Sequence, residues 1–305
     1  MRTIRGLESY PPDAGPSAVA LGAFDGIHLG HRAILGRAVE LARARGLEAL
    51  ACTFDPHPMQ LLQPARAPLP VTTLADRLAL IGETGIATTV VIPFTRHVAA
   101  MEPEAFVERV LLGVLRAREV VVGFNHRFGR AARGDARLLE GLGARLGFGV
   151  HVVPPTTVDG VTVSSSEIRA VLGQGDLARA ARLLGRDYTV GGEVVHGAGR
   201  GGSLGFPTAN IKTALPLPLP AGVYVGRADI GSAVYPAVVN IGVRPTFGDS
   251  ESTVEAHLID FTGDLYGRRL RLTFLRRLRE ERKFPSVEAL RAQIAADVAS
   301  AREPA

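Results

Sequence analysis

The chain has 305 residues, of which 46% are hydrophobic and 21% are charged, a balance typical of a globular protein with two domains. No uncharged apolar run reaches the roughly 18 residues of a transmembrane helix, and the first 30 residues lack the apolar core of a secretory signal. The single cysteine, Cys52, excludes an intramolecular disulfide and a cysteine-based zinc site. We therefore expect a cytoplasmic enzyme with no membrane partner.

The net charge of +5 comes from 35 basic and 30 acidic residues, and only two of the basic residues are lysines, Lys212 and Lys283. A positive balance permits binding to a polyanion. The charge is not gathered in one stripe, however, because the densest basic run, residues 268–283, also holds Glu280 and Glu281. We expect no nucleic-acid partner.

Residues 1–185 alternate short apolar runs with helical patterns. Strands are predicted over residues 18–24, 48–54, 88–93, 119–124 and 150–154. Helices are predicted over residues 32–45, 74–84 and 103–115, and two shorter ones over 165–172 and 176–184. Strands that alternate with helices of about ten residues imply parallel βαβ units. We predict an α/β domain with a parallel sheet.

The pattern changes near residue 187. Short strands separated by Gly and Pro are predicted over residues 188–196, 222–230, 233–241, 253–260 and 268–274. They indicate an antiparallel all-β region, either a sandwich or a barrel. A helix over residues 286–301, capped by Ser286, ends the chain. Residues 214–220, with three alternating prolines, predict an extended loop. The domains are predicted to cover residues 1–185 and 186–305.

The sharpest N-terminal motif is Gly-Ala-Phe-Asp-Gly-Ile-His-Leu-Gly-His, from Gly22 to His31, where the first predicted strand gives way to a helix. In open α/β sheets ligands bind at such a turn, and a helix N-terminus attracts phosphate. His28 and His31 are three residues apart and can face one phosphate group, while Gly30 allows close approach. Fixed donors there would stabilise charge during attack on the α-phosphate of ATP. The alternatives are plain surface histidines or half of a metal site, for which only Asp25 is near.

Three further segments can border the same crevice, because each follows a predicted strand or opens a helix. They are Thr-Phe-Asp-Pro-His-Pro at residues 53–58, Gly-Phe-Asn-His-Arg-Phe-Gly at 123–129 and Val-Ser-Ser-Ser-Glu-Ile-Arg at 163–169. The serines and Arg169 could bind phosphate. The serine run could equally be a plain helix cap, and His57 could serve only to shape a loop.

The C-terminal half contains a glycine-rich segment, residues 196–202, followed by Leu-Gly-Phe-Pro-Thr-Ala-Asn at 204–210. The spacing matches G-x-G-x-x-G, but the pattern predicts no helix after it, which excludes a dinucleotide fingerprint. Such a loop can still cradle phosphates through its backbone N–H groups. Thr208 and Asn210 offer oxygens that suit Mg²⁺. Glu255, on a predicted strand, is either a general base or a solvated residue.

The H-x-G-H segment resembles the signature of the nucleotidylyltransferase superfamily. Together the motifs resemble the bacterial bifunctional riboflavin kinase/FMN adenylyltransferase (FAD synthetase) family, over nearly the whole chain. Residues 205–210, 240–248 and 264–267 carry the kinase motifs, and H-x-G-H, T-F-x-P-H-P and S-S-x-x-I-R carry the others. The resemblance implies a Rossmann-like nucleotidylyltransferase domain, then an antiparallel barrel with a C-terminal helix. It also implies that riboflavin is phosphorylated by ATP to FMN, and that FMN is adenylylated by a second ATP to FAD, with Mg²⁺ as cofactor.

The resemblance assigns roles to matching residues. Glu255 would be the kinase base, and His28 and His31 the catalytic pair of adenylyl transfer. Residues assigned to ATP in adenylyl transfer are Gly22, Phe24, Asp25, His28, His31, Ser164 and Arg169, and residues assigned to the flavin are Phe54, Pro56, Pro58, Asn125 and Phe128. Residues assigned to ATP in the kinase are Gly197, Gly199, Gly205, Thr208 and Asn210, of which Thr208 and Asn210 would bind Mg²⁺. Two positions depart from the family: many members have a polar residue at Phe124 and a basic one at Gly202.

Other functions compete with this one. The β-domain could merely bind flavin beside a monofunctional adenylyltransferase, although Thr208, Asn210 and Glu255 together argue for a kinase. An RNA-binding protein would show a steep salt dependence of its affinity. An adenylyltransferase for pantetheine phosphate does not account for the all-β half. The sequence does not decide between a monomer and a homo-oligomer.

Overall fold

The computed structural model describes residues 1–197, 200–245 and 250–303. The chain divides into two compact units, Met1–Ser165 and Ser166–Ala305. The predicted order of an α/β region, an all-β region and a C-terminal helix is confirmed. Within the described ranges, no helix combines the length and the apolar character needed to cross a membrane.

The first unit is built on a six-stranded parallel sheet. Its strands and those of two short hairpins are β1 (Arg2–Arg5), β2 (Ser17–Leu21), β3 (Glu48–Asp55), β4 (Thr88–Pro93), β5 (Ala117–Gly123), β6 (Arg127–Phe128), β7 (Gly134–Asp135), β8 (Gly149–Val153), β9 (Thr157–Val158) and β10 (Val161–Thr162). Its helices are α1 (Leu29–Arg45), α2 (Pro58–Leu62), α3 (Leu74–Gly82), α4 (Arg96–Ala99), α5 (Pro103–Ala105), a π-helix over Phe106–Val114, and α6 (Ala136–Leu146).

The strand order in this sheet is β1-β4-β3-β2-β5-β8, so the order reverses between β2 and β5. In open α/β sheets this reversal is where a crevice for ligands opens beyond the carboxyl ends of the strands. All five residues of β2 are buried because helices cover both faces: Val19 and Leu21 pack with the π-helix and α6, and Ala18 and Ala20 pack with α1. The turn that joins β2 to α1 therefore lies at the centre of the sheet.

The first strands of the first unit differ from prediction in two ways. β2 ends at Leu21 rather than at residue 24, because Phe24 takes a positive φ of 52° that no strand allows. β1, which pairs with β4 at the sheet edge, was not predicted. Its four residues carry no apolar run, and only Ile4 is buried.

The second unit contains a closed six-stranded barrel with the order β11-β12-β15-β14-β13-β16. Its strands are β11 (Tyr188–Val195), β12 (Ala209–Thr213), β13 (Gly222–Asp229), β14 (Val234–Pro245), β15 (Ser250–Leu258) and β16 (Arg269–Arg279). Its helices are α7 (Ser165–Gly173), which begins at the division between the units, α8 (Leu177–Leu184), α9 (Arg200–Ser203) and α10 (Val287–Arg302). Ser286 caps α10 as predicted, and residues 214–220 form no regular structure.

The barrel decides between the two architectures that the sequence left open. β14 and β16 extend beyond their predicted ends because the added residues of β14 pair with β15 and those of β16 pair with β13. Local sequence does not encode these long-range contacts. α10 covers the outside of the barrel, where Val298 and Ala301 pack with Val223 and Val238. The short helix α9 covers the end of the glycine-rich segment, and the next element is the strand β12, so among the described residues no helix follows the segment, as predicted. With four residues, α9 is still too short for the helix of a dinucleotide fingerprint.

Candidate functional site

The first candidate site is the turn that joins β2 to α1. α1 begins three residues before its predicted start, and His28 is its N-cap. The His28 side chain is buried, and its Nδ1 accepts a hydrogen bond of 3.2 Å from the backbone N–H of His31. A neutral imidazole whose Nδ1 accepts must carry its proton on Nε2. His28 therefore caps the helix with one nitrogen and is an N–H donor through the other.

His31 lies directly against His28, with stacked rings whose centroids are 3.6 Å apart. The ring of Phe24 meets His31 edge-on at 5.4 Å. Burial, and then the nearby His28 and Arg77, lower the pKa of His31 well below its ordinary value of 6.5. Its Nδ1 is buried and has no hydrogen-bond partner among the described residues. His31 is therefore neutral at pH 7 and offers a phosphate a hydrogen bond rather than a charge.

The turn itself has an unusual backbone. Phe24, Gly26 and Ile27 all have positive φ values, of 52°, 87° and 39°, although Phe24 and Ile27 are fully buried side chains. A Cβ atom at Gly22 would lie 3.0 Å from the Phe24 ring, which favours glycine there. Gly22 and Phe24 were predicted to bind ATP. Their contacts show that they shape the turn that presents the histidines.

Asp25 fastens this turn to a neighbouring loop. Its carboxylate accepts hydrogen bonds from the backbone N–H groups of Val71, at 3.0 Å, and Thr72, at 3.1 Å. The N–H of Gly26 donates to Oγ1 of Thr72, and the carbonyl of Asp25 accepts from Oγ of Ser165 at 2.9 Å. The carboxylate is thus held by backbone donors, an arrangement that positions the turn. The predicted contact of Asp25 with ATP stays a prediction.

The predicted phosphate-binding residues Ser164 and Arg169 lie around the start of α7. α7 begins at Ser165, so Ser164 directly precedes the helix, as the predicted cap requires. Both side chains are half-buried. Arg169 belongs to the second compact unit, and its role in binding ATP stays a prediction.

Sequence reasoning missed Arg77, the buried arginine of α3. Its Nη1 donates to the carbonyl oxygens of Ala23, at 2.8 Å, and Phe54, at 3.1 Å, and so joins the loop after β2 to the end of β3. Burial lowers the pKa of Arg77, and the carboxylates of Asp25 and Asp55 oppose that change. The sequence could have indicated this residue, because a charged side chain stands on the apolar face of the predicted helix, one turn before Leu80 and Ile81.

Two of the residues predicted to border the flavin, Phe54 and Phe128, belong to one row of aromatic rings. Phe106, which was not predicted, stands between them, with ring centroids 6.5 Å from Phe54 and 6.2 Å from Phe128. Phe94 extends the row beyond Phe54, at 5.7 Å. Residues 74 positions apart in the sequence are thereby brought into one aromatic row, in which Phe106 and Phe128 are buried and Phe54 is half-buried.

The other predicted flavin residues lie in two loops at the carboxyl end of the sheet. Pro56 is exposed, and Pro58 is the first residue of α2. The N-cap of α2 is His57, whose Nδ1 accepts from the N–H of Met59 at 3.3 Å, so the loop-shaping interpretation of His57 is the one that the contacts support. Asn125 is exposed in the loop after β5.

The loop after β5 also holds two aromatic side chains that the sequence did not assign to the flavin. Phe124 is exposed (46%), and His126 stacks on Phe128 with centroids 5.8 Å apart. Burial lowers the pKa of His126 to about 4, and its Nε2 has no hydrogen-bond partner in the described part of the chain. His126 is therefore a neutral ring that extends the aromatic row.

The second candidate site lies on the outer face of the barrel. Glu255 on β15 is paired with Asn210 on β12 and with Asn240 on β14, and paired residues share one face of a sheet. Val238, two residues from Asn240, packs in the cluster that α10 joins, which identifies this face as the one that α10 adjoins. Glu255 thus lies between two asparagines, and Asn240 is a residue to which the sequence gave no role.

The glycine-rich loop passes close to the two predicted Mg²⁺ ligands. A Cβ atom at Gly197 would lie 2.0 Å from Nδ2 of Asn210, and one at Gly201 would lie 2.9 Å from Oγ1 of Thr208. Only glycine allows this approach, which brings loop backbone beside hydroxyl and amide oxygens of the kind that Mg²⁺ binds together with phosphates and water. The donor set therefore fits the ion. Gly199 lies outside the described residues.

Two other glycines in or near this loop differ in whether the structure requires glycine. Gly205 has a φ of 84°, which favours glycine. At Gly202, where many family members have a basic residue, a Cβ atom would meet open space. No group of three His, Cys, Asp or Glu residues in the described ranges could hold a metal, so an ion here would depend on Thr208, Asn210 and the substrate.

Comparison with known proteins assigns a family to each half of the chain. The family described as FAD synthetase matches residues 11–167, and the family described as riboflavin kinase matches residues 184–304. A bifunctional riboflavin kinase/FMN adenylyltransferase from Pseudomonas fluorescens is 39% identical over 306 residues, covering 99% of this chain and 97% of that protein. This chain belongs to that bifunctional family.

Relatives of the same name occur in Escherichia coli strain K12, at 36% identity over 99% of this chain and 97% of that protein, and in Bacillus subtilis, at 35% over 92% and 90%. The predicted function is confirmed: riboflavin kinase makes FMN from riboflavin and ATP, and FMN adenylyltransferase makes FAD and pyrophosphate from FMN and ATP.

The same fold is found in a solved structure. A crystal structure from Streptococcus pneumoniae, titled as a macrolide-efflux protein, superposes with a TM-score of 0.90 at 29% sequence identity and covers 100% of both chains. The structural similarity therefore covers both the α/β domain and the barrel. The efflux activity is named for that protein only.

Proposed function

We propose that the two reactions use separate sets of residues, with adenylyl transfer in residues 1–185 and riboflavin phosphorylation in residues 186–305. The observation that supports the proposal is that the predicted catalytic residues of the two reactions lie in different folds. The His28–His31 pair stands at the central turn of the parallel sheet, whereas Glu255 and Asn210 are paired on adjacent barrel strands.

In adenylyl transfer, a phosphate oxygen of FMN attacks the α-phosphorus of ATP, and the bond to pyrophosphate breaks. No covalent link to the protein is needed, so positioning and charge stabilisation supply the catalysis. His28 and His31 act as neutral donors to the phosphates at the start of α1, where the helix dipole adds to their effect. Ser164 and Arg169 add phosphate contacts from the start of α7, and Asp25 holds the turn in place.

The flavin of FMN lies against the aromatic row that runs from Phe54 to Phe128. Stacking of planar rings stabilises such an arrangement and leaves the phosphate of FMN free to point toward ATP. Pro56, Pro58 and Asn125 border the same surface from the loops that follow β3 and β5.

In the kinase, Glu255 accepts the proton of the riboflavin 5′-hydroxyl while that oxygen attacks the γ-phosphorus of ATP and ADP leaves. A positioned carboxylate typically contributes about 10²–10⁴ in rate. Thr208 and Asn210 would hold Mg²⁺, and the bound ion would neutralise phosphate charge. Gly197, Gly199 and Gly205 let the loop backbone approach the phosphates of ATP.

The test is Glu255→Gln, which keeps the size of the side chain and removes the base. We expect FMN formation to fall by at least about 100-fold, while affinity for ATP and the conversion of supplied FMN to FAD stay at the wild-type level. Both reactions can be followed in one incubation by chromatography of the flavins.

The matched control for this variant is Asp260→Asn. Asp260 is a carboxylate five residues after Glu255, and its two oxygens pair with Arg302 at 2.7 and 2.9 Å. This change should leave kinase turnover intact. A Glu255→Gln enzyme that keeps most of its kinase turnover would remove Glu255 from the mechanism.

The proposal places the enzyme in the cytoplasm with riboflavin, FMN, FAD and ATP as its partners. Nucleic acid is not among them, and three arginines of β16 have internal partners: Arg276 binds Ser300, Arg277 binds the carbonyl of Ala221, and Arg279 binds Asp297.

A further inference from the structure

His257 lies on β15, two residues after Glu255, and has no role in the reactions described so far. Its Nδ1 is 2.8 Å from the carbonyl oxygen of Pro207. A carbonyl can only accept a hydrogen bond, so the proton is on Nδ1. We propose that His257 is a positioning residue of the kinase, which holds the ATP-binding segment around Thr208 in register with the strand that carries Glu255. This inference rests on the proposed roles of Thr208, Asn210 and Glu255.

The strand pairing shows why a side chain is needed at this point. The ladder between β12 and β15 joins Ile211 to Val254, Asn210 to Glu255 and Ala209 to Ala256, and it ends at Ala209. The next residue, Thr208, would face His257 in the same register, but it lies outside the strand. Pro207 before it has no N–H group and cannot continue the ladder.

The hydrogen bond from His257 to Pro207 therefore replaces the missing backbone contact. It attaches the chain on the far side of Thr208 to the same strand that holds Asn210 by pairing. Thr208 is thus held from both directions, by the ladder on one side and by the imidazole on the other, and its hydroxyl has less freedom than in an unattached loop.

The same contact reaches the glycine-rich loop. The ring of Phe206 meets His257 edge-on, with centroids 5.6 Å apart, and the N–H of Phe206 donates to the carbonyl of Gly201 at 3.0 Å. A Cβ atom at Gly201 would lie 2.5 Å from the carbonyl oxygen of Phe206, so the two segments are in close contact. One imidazole thereby connects the strand of the base, the Thr208 segment and the phosphate loop.

Two amide substitutions separate the hydrogen bond from the bulk of the ring. In His257→Asn the amide nitrogen occupies the place of Nδ1 and can donate to Pro207, whereas in His257→Gln the amide reaches the place of Nε2 and cannot. Both lose the ring contact with Phe206. We expect His257→Gln to raise the kinase KM for Mg-ATP about tenfold, the scale of one hydrogen bond, and His257→Asn to stay within about threefold of wild type.

The measurements are kinase kcat and KM for Mg-ATP and for riboflavin, with conversion of FMN to FAD by the same preparations as the internal control. The proposal is overturned if the two variants have the same KM for Mg-ATP, including the case in which a destabilised barrel impairs both equally. It is also overturned if His257→Gln leaves the KM for Mg-ATP unchanged.

Thr208→Ala distinguishes failure of this inference from failure of the proposed ATP-binding site on which it rests. If Thr208→Ala raises the KM for Mg-ATP and His257→Gln does not, only the role of His257 is wrong. If neither change affects Mg-ATP, the proposed ATP segment itself is wrong, and the inference falls with it.

Discussion

At the scale of single residues, the two ring nitrogens of His28 do different work. Nδ1 accepts from the N–H of His31 and caps α1, and Nε2 carries the proton of the neutral ring. A cap of this kind contributes about 1 kcal/mol to stability, whereas one donor to a transition state contributes about 3 kcal/mol to the barrier. The two contributions can be separated by substitution.

We expect His28→Ala to lose both contributions: about 1 kcal/mol of stability, and a factor of roughly 10²–10³ in adenylyl transfer. His28→Asn should restore the cap, because asparagine is among the preferred N-cap residues, while adenylyl transfer stays low. Urea unfolding and the rate of FAD formation measure the two effects. Kinase activity serves as the control and should be unchanged in both variants. An active His28→Asn enzyme would mean that the cap, not the donor, is what catalysis needs.

His126 links burial to pH. The unfolded chain binds a proton on this ring near pH 6.5, and the folded chain binds it near pH 4. The unfolded state therefore holds more protons between these values, so stability falls as the pH drops from 6.5 toward 4. His31, whose pKa is also lowered by burial, acts in the same direction.

We expect His126→Phe to keep the stack on Phe128 and to remove part of this acid sensitivity. Between pH 7 and pH 5, the free energy of unfolding should fall by about 2 kcal/mol less in the variant than in wild type. Urea midpoints at the two pH values test this, with His97→Asn at an exposed position as the control. An identical loss in wild type and His126→Phe would show that the ring is not the buried titrating group.

At the scale of elements, α3 holds the ends of two strands together. Arg77 extends from this helix and donates to the carbonyl of Ala23 in the loop after β2 and to that of Phe54 near the end of β3. Thr53 adds a third contact, from its Oγ1 to the carbonyl of Ala23 at 3.0 Å. The histidine turn and the loop with the flavin prolines are therefore held at one spacing by a single buried guanidinium.

Arg77→Met should disturb that spacing, because methionine fills much of the volume but leaves two buried carbonyls without their charged donor. We expect a loss of about 2–4 kcal/mol in stability, and a fall of at least tenfold in adenylyl transfer with normal riboflavin phosphorylation. Arg37→Met is the matched control, since Arg37 only pairs with Glu40 on the exposed side of α1 and should cost less than about 0.5 kcal/mol. Unchanged FAD formation in Arg77→Met would show that the loops hold their spacing without it.

At the scale of the whole molecule, the extent of the kinase domain depends on α7 and α8. The proposed boundary at residues 185 and 186 leaves both helices with the adenylyltransferase, whereas the compact second unit begins at Ser166. α8 packs against β11 and β16 and buries Leu177, Leu183 and Leu184. Removing it would expose apolar surface on the barrel.

We expect a fragment of residues 186–305 to phosphorylate riboflavin and to make no FAD. A fragment of residues 166–305 should have the same activity and a Tm higher by at least about 5 °C, because α8 keeps its apolar contacts. Calorimetry and flavin chromatography of the two fragments provide the comparison. If only the longer fragment has kinase activity, the functional boundary lies before α7 rather than at residue 185.

Sequence alone determined the class of each half and most strand and helix positions, and its motifs indicated the two reactions through their resemblance to a known family. These follow from short-range patterns: apolar periodicity, helix caps such as Ser286, and motifs in which the functional residues are near neighbours, like His28 and His31. The same patterns placed Thr208, Asn210 and Glu255 in one half of the chain, but not beside one another.

Only the tertiary structure decided which distant residues meet. Barrel closure, the pairing of Glu255 with Asn210 and Asn240, and the aromatic row through Phe106 all depend on strands and helices far apart in sequence. The same is true of Arg77 and His257, whose hydrogen bonds go to backbone carbonyls and leave no partner to recognise in the sequence. Local patterns specify which face of an element is apolar, and the packing of those faces then sets the register that brings the polar groups together.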